Sequence, residues 1–194
     1  MHRPPDLETL VQTYLPAPSD AQIRLPANAC DAHVHVFGPV TRFPYASSRS
    51  FTPVEAPKEK LFALHKQMGI ERCVIVQSMI HGLDNAVVAD AITAGQGRYL
   101  GVALVPVDVS SDALGRLAKQ GFRAVRFNFM KHLGVGAHPQ ALVDLTQRLA
   151  EHHMHLQVHL DPSLIDDLAP WLARSAVPVV IDHMARVDAT QGLQ

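Results

Sequence analysis

The chain has 194 residues, 47% of them hydrophobic, which is long enough to bury a core, and 17 basic against 18 acidic residues leave it close to neutral. That balance, with no basic stripe, excludes an electrostatic footprint for nucleic acid. No apolar run is long enough to span a bilayer, and the polar, proline-containing N-terminus lacks the apolar core of a signal peptide.

Residues 1–25 read as a polar leader, and a single domain is expected over 26–194. Strand-like runs follow at 29–37, 72–78, 99–107, 122–129, 155–160 and 177–184, short and rich in Val, Ile and Leu, as strands buried on both faces of a parallel sheet are. Helical runs alternate with them. The first, 57–68, is closed by Gly69, and the next, 85–94, is capped by Asp84. A third is capped by Ser110 or Ser111 and closed by Gly121. The run 139–152 places Leu142, Leu145 and Leu149 on one face. Asp161-Pro162 gives a cap followed by proline, the start of a fifth helix. Residues 38–54 form a long polar and aromatic loop without helical period. Cys30 and Cys73 sit far apart in apolar, strand-like surroundings and read as free buried thiols in a reducing cytoplasm.

Strand–helix alternation leaves an open doubly wound sheet or a closed (β/α) barrel. The glycine-rich phosphate turn of the nucleotide folds does not follow the first strand, where the sequence is His35-Val36-Phe37-Gly38-Pro39. Polar residues recur instead at strand carboxyl ends: His33/His35, Gln77/Ser78, Arg126/Asn128, Gln157/His159 and Asp182/His183. This is where a barrel builds its active site, so a (β/α)8 TIM-barrel type is expected, with six of the eight βα units present in the chain.

His33 and His35 project from one face of their strand, an arrangement suited to a divalent metal or to proton transfer. If the strands are parallel, His159 and His183 join them on one rim, and four imidazoles from three strands point to a site. Neutral imidazole is a zinc ligand, so His33, His35, His159 and His183 are the candidate metal set. Strand parity turns Arg126 inward with Asn128 and Arg123 outward. An inward arginine is either a fork for a substrate carboxylate or half of an internal salt bridge, and the rim position favours the substrate. Lys131 and His132 would frame the same mouth, as would His81-Gly82. His2, His65, His138, His152 and His153 are assigned to exposed surface.

Taken in order, His33-Val-His35, Phe43-Pro44-Tyr45, Thr52-Pro53, His81-Gly82-x-Asp84-Asn85, Val125-Arg126-Phe127-Asn128-Phe129 and Asp182-His183-Met184 resemble the 2-pyrone-4,6-dicarboxylate lactonase-like branch of the amidohydrolase superfamily. The resemblance implies a (β/α)8 barrel that hydrolyses a small anionic lactone in the breakdown of aromatic acids, with no nucleic-acid or membrane partner and with room for a homo-oligomer. By position it makes His33, His35 and His183 catalytic, polarising the lactone carbonyl or holding a metal, zinc first. Arg126, His159, His81 and Asn128 become substrate contacts. The chain departs from the family pattern at Phe51, Met79 and His132, where polar contacts are expected, and at His159, where that branch has tyrosine. The family's aspartate on strand eight, its general base, and its later substrate-binding arginine have no counterpart, so the 194-residue form is expected to be nearly inactive alone. Two other readings stay open: a metal-dependent decarboxylase of the same superfamily, and an inactive barrel fragment.

Overall fold

The computed structural model describes residues 8–20, 22–129 and 138–192; His2, Lys131 and His132 lie outside the described residues. The chain divides into two compact units, Met1–Leu104 and Val105–Gln194. Both are built from parallel strands taken in chain order with helices between them.

In the first unit, β1 (Cys30–Val34) pairs with β2 (Arg72–Val76), and β2 with β3 (Tyr99–Leu104), all parallel. Between them lie α1 (Lys58–Met68) and α2 (Ala86–Ala94). Helix α1 stops where expected: Gly69 takes a left-handed φ of 74° and its N–H returns to the His65 carbonyl. Asp84 accepts from the Ala86 N–H at 3.0 Å, holding the start of α2. The leader is not wholly loose, because Leu10–Val11 forms a short parallel ladder with Thr52–Pro53 inside the long loop. That loop is closed by the bridge between Phe37 and Ala56. Ile75, Val76, Val88, Ala91 and Val102 are buried in this unit's core.

Two expectations fail here. His65 is 1% exposed rather than on the surface. It lies one turn beyond buried Leu61, so it belongs to the apolar face of α1. Cys73 is buried as expected, but Cys30 is exposed, because it begins a strand whose first residues pack little on either side.

In the second unit, β4 (Phe122–Phe129), β5 (His155–Leu160) and β6 (Val179–Ile181) are again parallel. Helices α3 (Ser111–Lys119), α4 (Pro139–Glu151) and α5 (Ile165–Leu172) accompany them. Ser110 accepts from Ala113 N–H to cap α3. Asp161 accepts from Ser163 N–H and opens a short turn that leads into α5. Leu142, Leu145 and Leu149 of α4 are buried as a stripe beside Leu156 and Val158 of β5. His138 and His153 are exposed, and His152 is half-buried against Ser111, whose hydroxyl lies 2.8 Å from its Nε2.

The last strand is shorter and more open than its sequence suggests. β6 lies at a sheet edge, and Val180 and Ile181 are both nearly half exposed. It ends at Ile181, and the chain then makes a left-handed turn in which His183, Met184, Ala185 and Arg186 all have positive φ, from 51° to 56°. None of the four is glycine, and each residue of this kind costs roughly 1–2 kcal/mol. No helix among the described residues is long and apolar enough to cross a membrane.

Candidate active site

The first unit carries His33, His35 and His81. Along β1, Asp31 faces Cys73 and Val34 faces Ile75, so three steps on β1 advance against two on β2. The strand therefore bulges between Asp31 and Val34, and simple alternation does not set the direction of His33. The two rings nevertheless meet, edge to face, with centroids 5.2 Å apart. His35 lies just past the strand, where its Nδ1–H donates to the Val76 carbonyl at 2.7 Å. A carbonyl can only accept, so this bond fixes the tautomer and leaves the lone pair on Nε2.

His81 is 4% exposed, and both of its ring nitrogens serve the long loop. Nε2 accepts from the Gly38 N–H at 3.3 Å, and Nδ1–H donates to the Pro44 carbonyl at 3.2 Å. Burial lowers its pKa, in keeping with a neutral ring that pins the loop. Gln77, fully buried, does similar work on the turn that follows, donating to the Gly82 and Asp84 carbonyls.

The first unit also holds a grouping of metal-ligand type, in which one donor atom each from Asp31, His65 and Cys73 lies within 4.8 Å of the others. Burial pushes the Cys73 thiol up, so it stays protonated.

The second unit carries Arg126, Asn128, His159 and His183. Parity on β4 holds: Arg126 is 6% exposed, whereas Arg123 is exposed and bonds to the Ala118 and Phe122 carbonyls. Arg126 is not left as a bare fork. Its Nε donates to Asp182 Oδ2 at 2.7 Å, and Asp182 is 3% exposed. The other carboxylate oxygen of Asp182 accepts from Gln157 Nε2. The internal salt bridge and the substrate fork, set against each other in the sequence, are thus compatible. Asp182 takes the Nε edge, and among the described residues the two terminal nitrogens make no further hydrogen bond.

Asn128 stands opposite His159 in the β4–β5 register. The His159 Nδ1–H donates to Asn128 Oδ1 at 3.2 Å, so Nε2 carries the lone pair. That Nε2 is buried and has no hydrogen-bond partner among the described residues. Desolvation first, then the positive charge of Arg126, depress the His159 pKa to about 4, so the ring is neutral at physiological pH. Its ring meets that of His183 edge to face, with centroids 5.3 Å apart. His183 itself is presented by the left-handed turn rather than by the end of a strand. Strain of that kind, held by a buried ion pair one residue upstream, is characteristic of functional sites.

These donors fit a divalent metal. His159 uses Nδ1 on Asn128 and keeps a buried Nε2 lone pair for a ligand, and the Nδ1–H bond of His35 to Val76 sets the same tautomer, the pattern by which second partners orient metal-bound imidazoles. Asp182 and Gln157 stood in the expected polar rim, but nothing local in the sequence marks them as the clamp on Arg126. The roles of Asp31, His65 and Tyr99 were not foreseen at all.

Comparison with known proteins gives these features a lineage. A 2-pyrone-4,6-dicarboxylate hydrolase of Comamonas testosteroni is 39% identical over 176 residues, covering 91% of this chain and 58% of that protein. A 4-sulfomuconolactone hydrolase of Hydrogenophaga intermedia is 37% identical over 170 residues, covering 87% of this chain and 56% of its own length. The chain thus spans a little under three fifths of these relatives. The crystal structure of a probable 2-pyrone-4,6-dicarboxylic acid hydrolase from Acinetobacter baumannii, with citric acid bound, superposes with a TM-score of 0.75 at 27% identity. It covers 85% of this chain and 61% of its own. The fold is accordingly of the (β/α) barrel type, and this chain supplies six of its parallel strands. The amidohydrolase family pattern matches residues 30–194, and the chain belongs to the amidohydrolase family.

Proposed function

We propose that this chain carries the binding and carbonyl-activating part of a hydrolase that opens the ring of a small anionic lactone. The observation that carries the reading is Arg126. It is a buried guanidinium in the carboxyl-terminal half of β4, fixed by Asp182 through one edge, with neutral His159 and the amide of Asn128 beside it. The relatives named as lactone hydrolases at 39% and 37% identity support the choice of substrate class.

In this reading the terminal nitrogens of Arg126 hold a carboxylate or comparable anion of the substrate. Asn128 and His159 line the space next to it, and His33, His35 and His183 act on the lactone carbonyl. A neutral imidazole N–H from His33 or His183 aimed at the carbonyl oxygen would stabilise the charge that gathers there as water adds, whereas His35, whose Nδ1–H is committed to the Val76 carbonyl, offers an Nε2 lone pair. Breaking the ring C–O bond then yields one new carboxylic acid and one hydroxyl. A divalent metal, zinc being the first candidate, would supply Lewis acidity toward that carbonyl, with His33 and His35 the ligand candidates of the first unit and His159 and His183 those of the second. His81 contributes by holding the loop over residues 38–44 in place.

The test compares anionic with neutral lactones, using this chain and the longest in-frame form of its coding sequence. The variant is Arg126→Lys, which keeps a positive charge for Asp182 but loses the planar fork. KM for anionic lactones should rise about tenfold or more, with kcat less affected and neutral lactones unchanged. An unchanged KM for the anionic substrates would remove Arg126 from substrate binding.

A further inference from the structure

A hydrogen-bond chain that the proposed chemistry does not use leads to His33 from a buried end at Tyr99 and His65, through the half-buried Asp31. His65 of α1 has one ring nitrogen 3.3 Å from Asp31 Oδ2 and the other 2.7 Å from the Tyr99 hydroxyl. An ionised carboxylate can only accept, so His65 Nε2–H donates to Asp31 and Nδ1 accepts from the Tyr99 O–H. Burial raises the Tyr99 pKa, which keeps the phenol a neutral donor. Tyr99 is seated by its edge-to-face contact with Phe62, 5.0 Å between centroids, and by Gly95, where a Cβ would fall 2.7 Å from the Tyr99 Cβ.

The chain of bonds ends on the backbone. The second oxygen of Asp31 accepts from the His33 N–H at 3.2 Å, inside the segment where β1 bulges. A bulge takes a backbone donor out of the regular ladder, and a donor with no partner in a packed site is costly. Asp31 supplies that partner, and His65 and Tyr99, from α1 and β3, hold Asp31 in position.

We propose that Tyr99, His65 and Asp31 form a positioning relay that clamps the β1 bulge and so fixes the aim of His33 beside His35. Its catalytic consequence rests on the proposed role of those two histidines; its structural part does not. All three are positioning residues, since they act on the reaction only through His33.

The test uses the isotopically labelled 194-residue chain as wild type, Asp31→Ala, Asp31→Asn and Tyr99→Phe. Amide exchange at His33 and the ring signals of His33 and His35 are followed by NMR, and global stability by urea unfolding. In Asp31→Ala the His33 amide should exchange about tenfold faster relative to the amides of β2 and β3, the loss of one hydrogen bond, with both ring signals displaced. Asp31→Asn should restore both, because its carbonyl still accepts from His33 N–H and its NH2 can donate to His65 Nε2 once the proton sits on Nδ1. Tyr99→Phe should displace the same signals by less, and it decides the matter alone if Asp31→Ala does not fold. Wherever lactone turnover is measurable, Asp31→Ala should lower kcat about tenfold or more at unchanged KM. The relay is overturned if all amides shift in parallel, if the His33 and His35 rings do not respond, or if asparagine fails to restore them. An absence of lactone turnover would count against the proposed function and leave the NMR result standing, whereas a failed relay would leave wild-type turnover untouched.

Discussion

Arg126→Met should destabilise the protein by about 3–5 kcal/mol, because it removes the guanidinium that pairs with the buried carboxylate of Asp182, and the amide of Gln157 cannot replace that charge. Such a loss is a large share of the roughly 5–15 kcal/mol that holds a domain together. Replacing both members of the pair, Arg126→Met with Asp182→Asn, removes the uncompensated charge and should recover part of the loss. Urea unfolding of the wild type, both single variants and the double variant measures the coupling directly. Additive effects would mean that the pair is not formed in solution. The geometry also explains why Arg126→Met is a poor probe of substrate binding, since stability falls before affinity can be read, and why lysine is the better replacement.

His159 should make the folded state sensitive to acid in a defined window. The unfolded chain takes up a proton on this residue near its ordinary value of 6.5, whereas the folded chain does so only near about 4. Its contribution is fully present above pH 6.5 and is lost progressively as the pH falls toward 4, in total about 3 kcal/mol. Burial lowers His81 and His155 as well, so the wild-type slope includes their share. His159→Asn, studied with a chelator present, should flatten the dependence of unfolding free energy on pH by up to about 1.4 kcal/mol per pH unit within that window. An unaltered slope would show that His159 is solvated and titrates normally in the folded protein.

Much of the fold was legible because it follows from local periodicity. The bounds of β4 and β5 fell where runs of Phe, Val and Leu interleaved with polar residues start and stop, and the stop of α1 at Gly69 and the caps at Asp84, Ser110 and Asp161 came from turn chemistry. Parity alone separated Arg126 from Arg123. What escaped has a common physical origin in contacts between residues distant in sequence. The salt bridge of Arg126 joins positions 56 residues apart, and His65 reaches Asp31 and Tyr99 across 34 in each direction. No pattern on α1 distinguishes a buried histidine bonded to a distant carboxylate from one in solvent. The bulge in β1 and the left-handed turn at His183 break regular geometry without a glycine or proline at the residues concerned, so His183 read as the end of a strand. Local rules fail here at the residues that are candidates for chemistry, which is where strain is expected to collect.

The proposed ring opening of an anionic lactone by these residues is best tested by product analysis. A panel of carboxylated lactones is incubated with the longest in-frame form of the protein, with and without added zinc, and acid release and carbon dioxide are measured together. Ring opening predicts one new acid group for each lactone consumed and no carbon dioxide. Carbon dioxide formed in step with substrate loss would assign the site to decarboxylation instead, and no turnover of any anionic lactone under either condition would contradict the hydrolase reading.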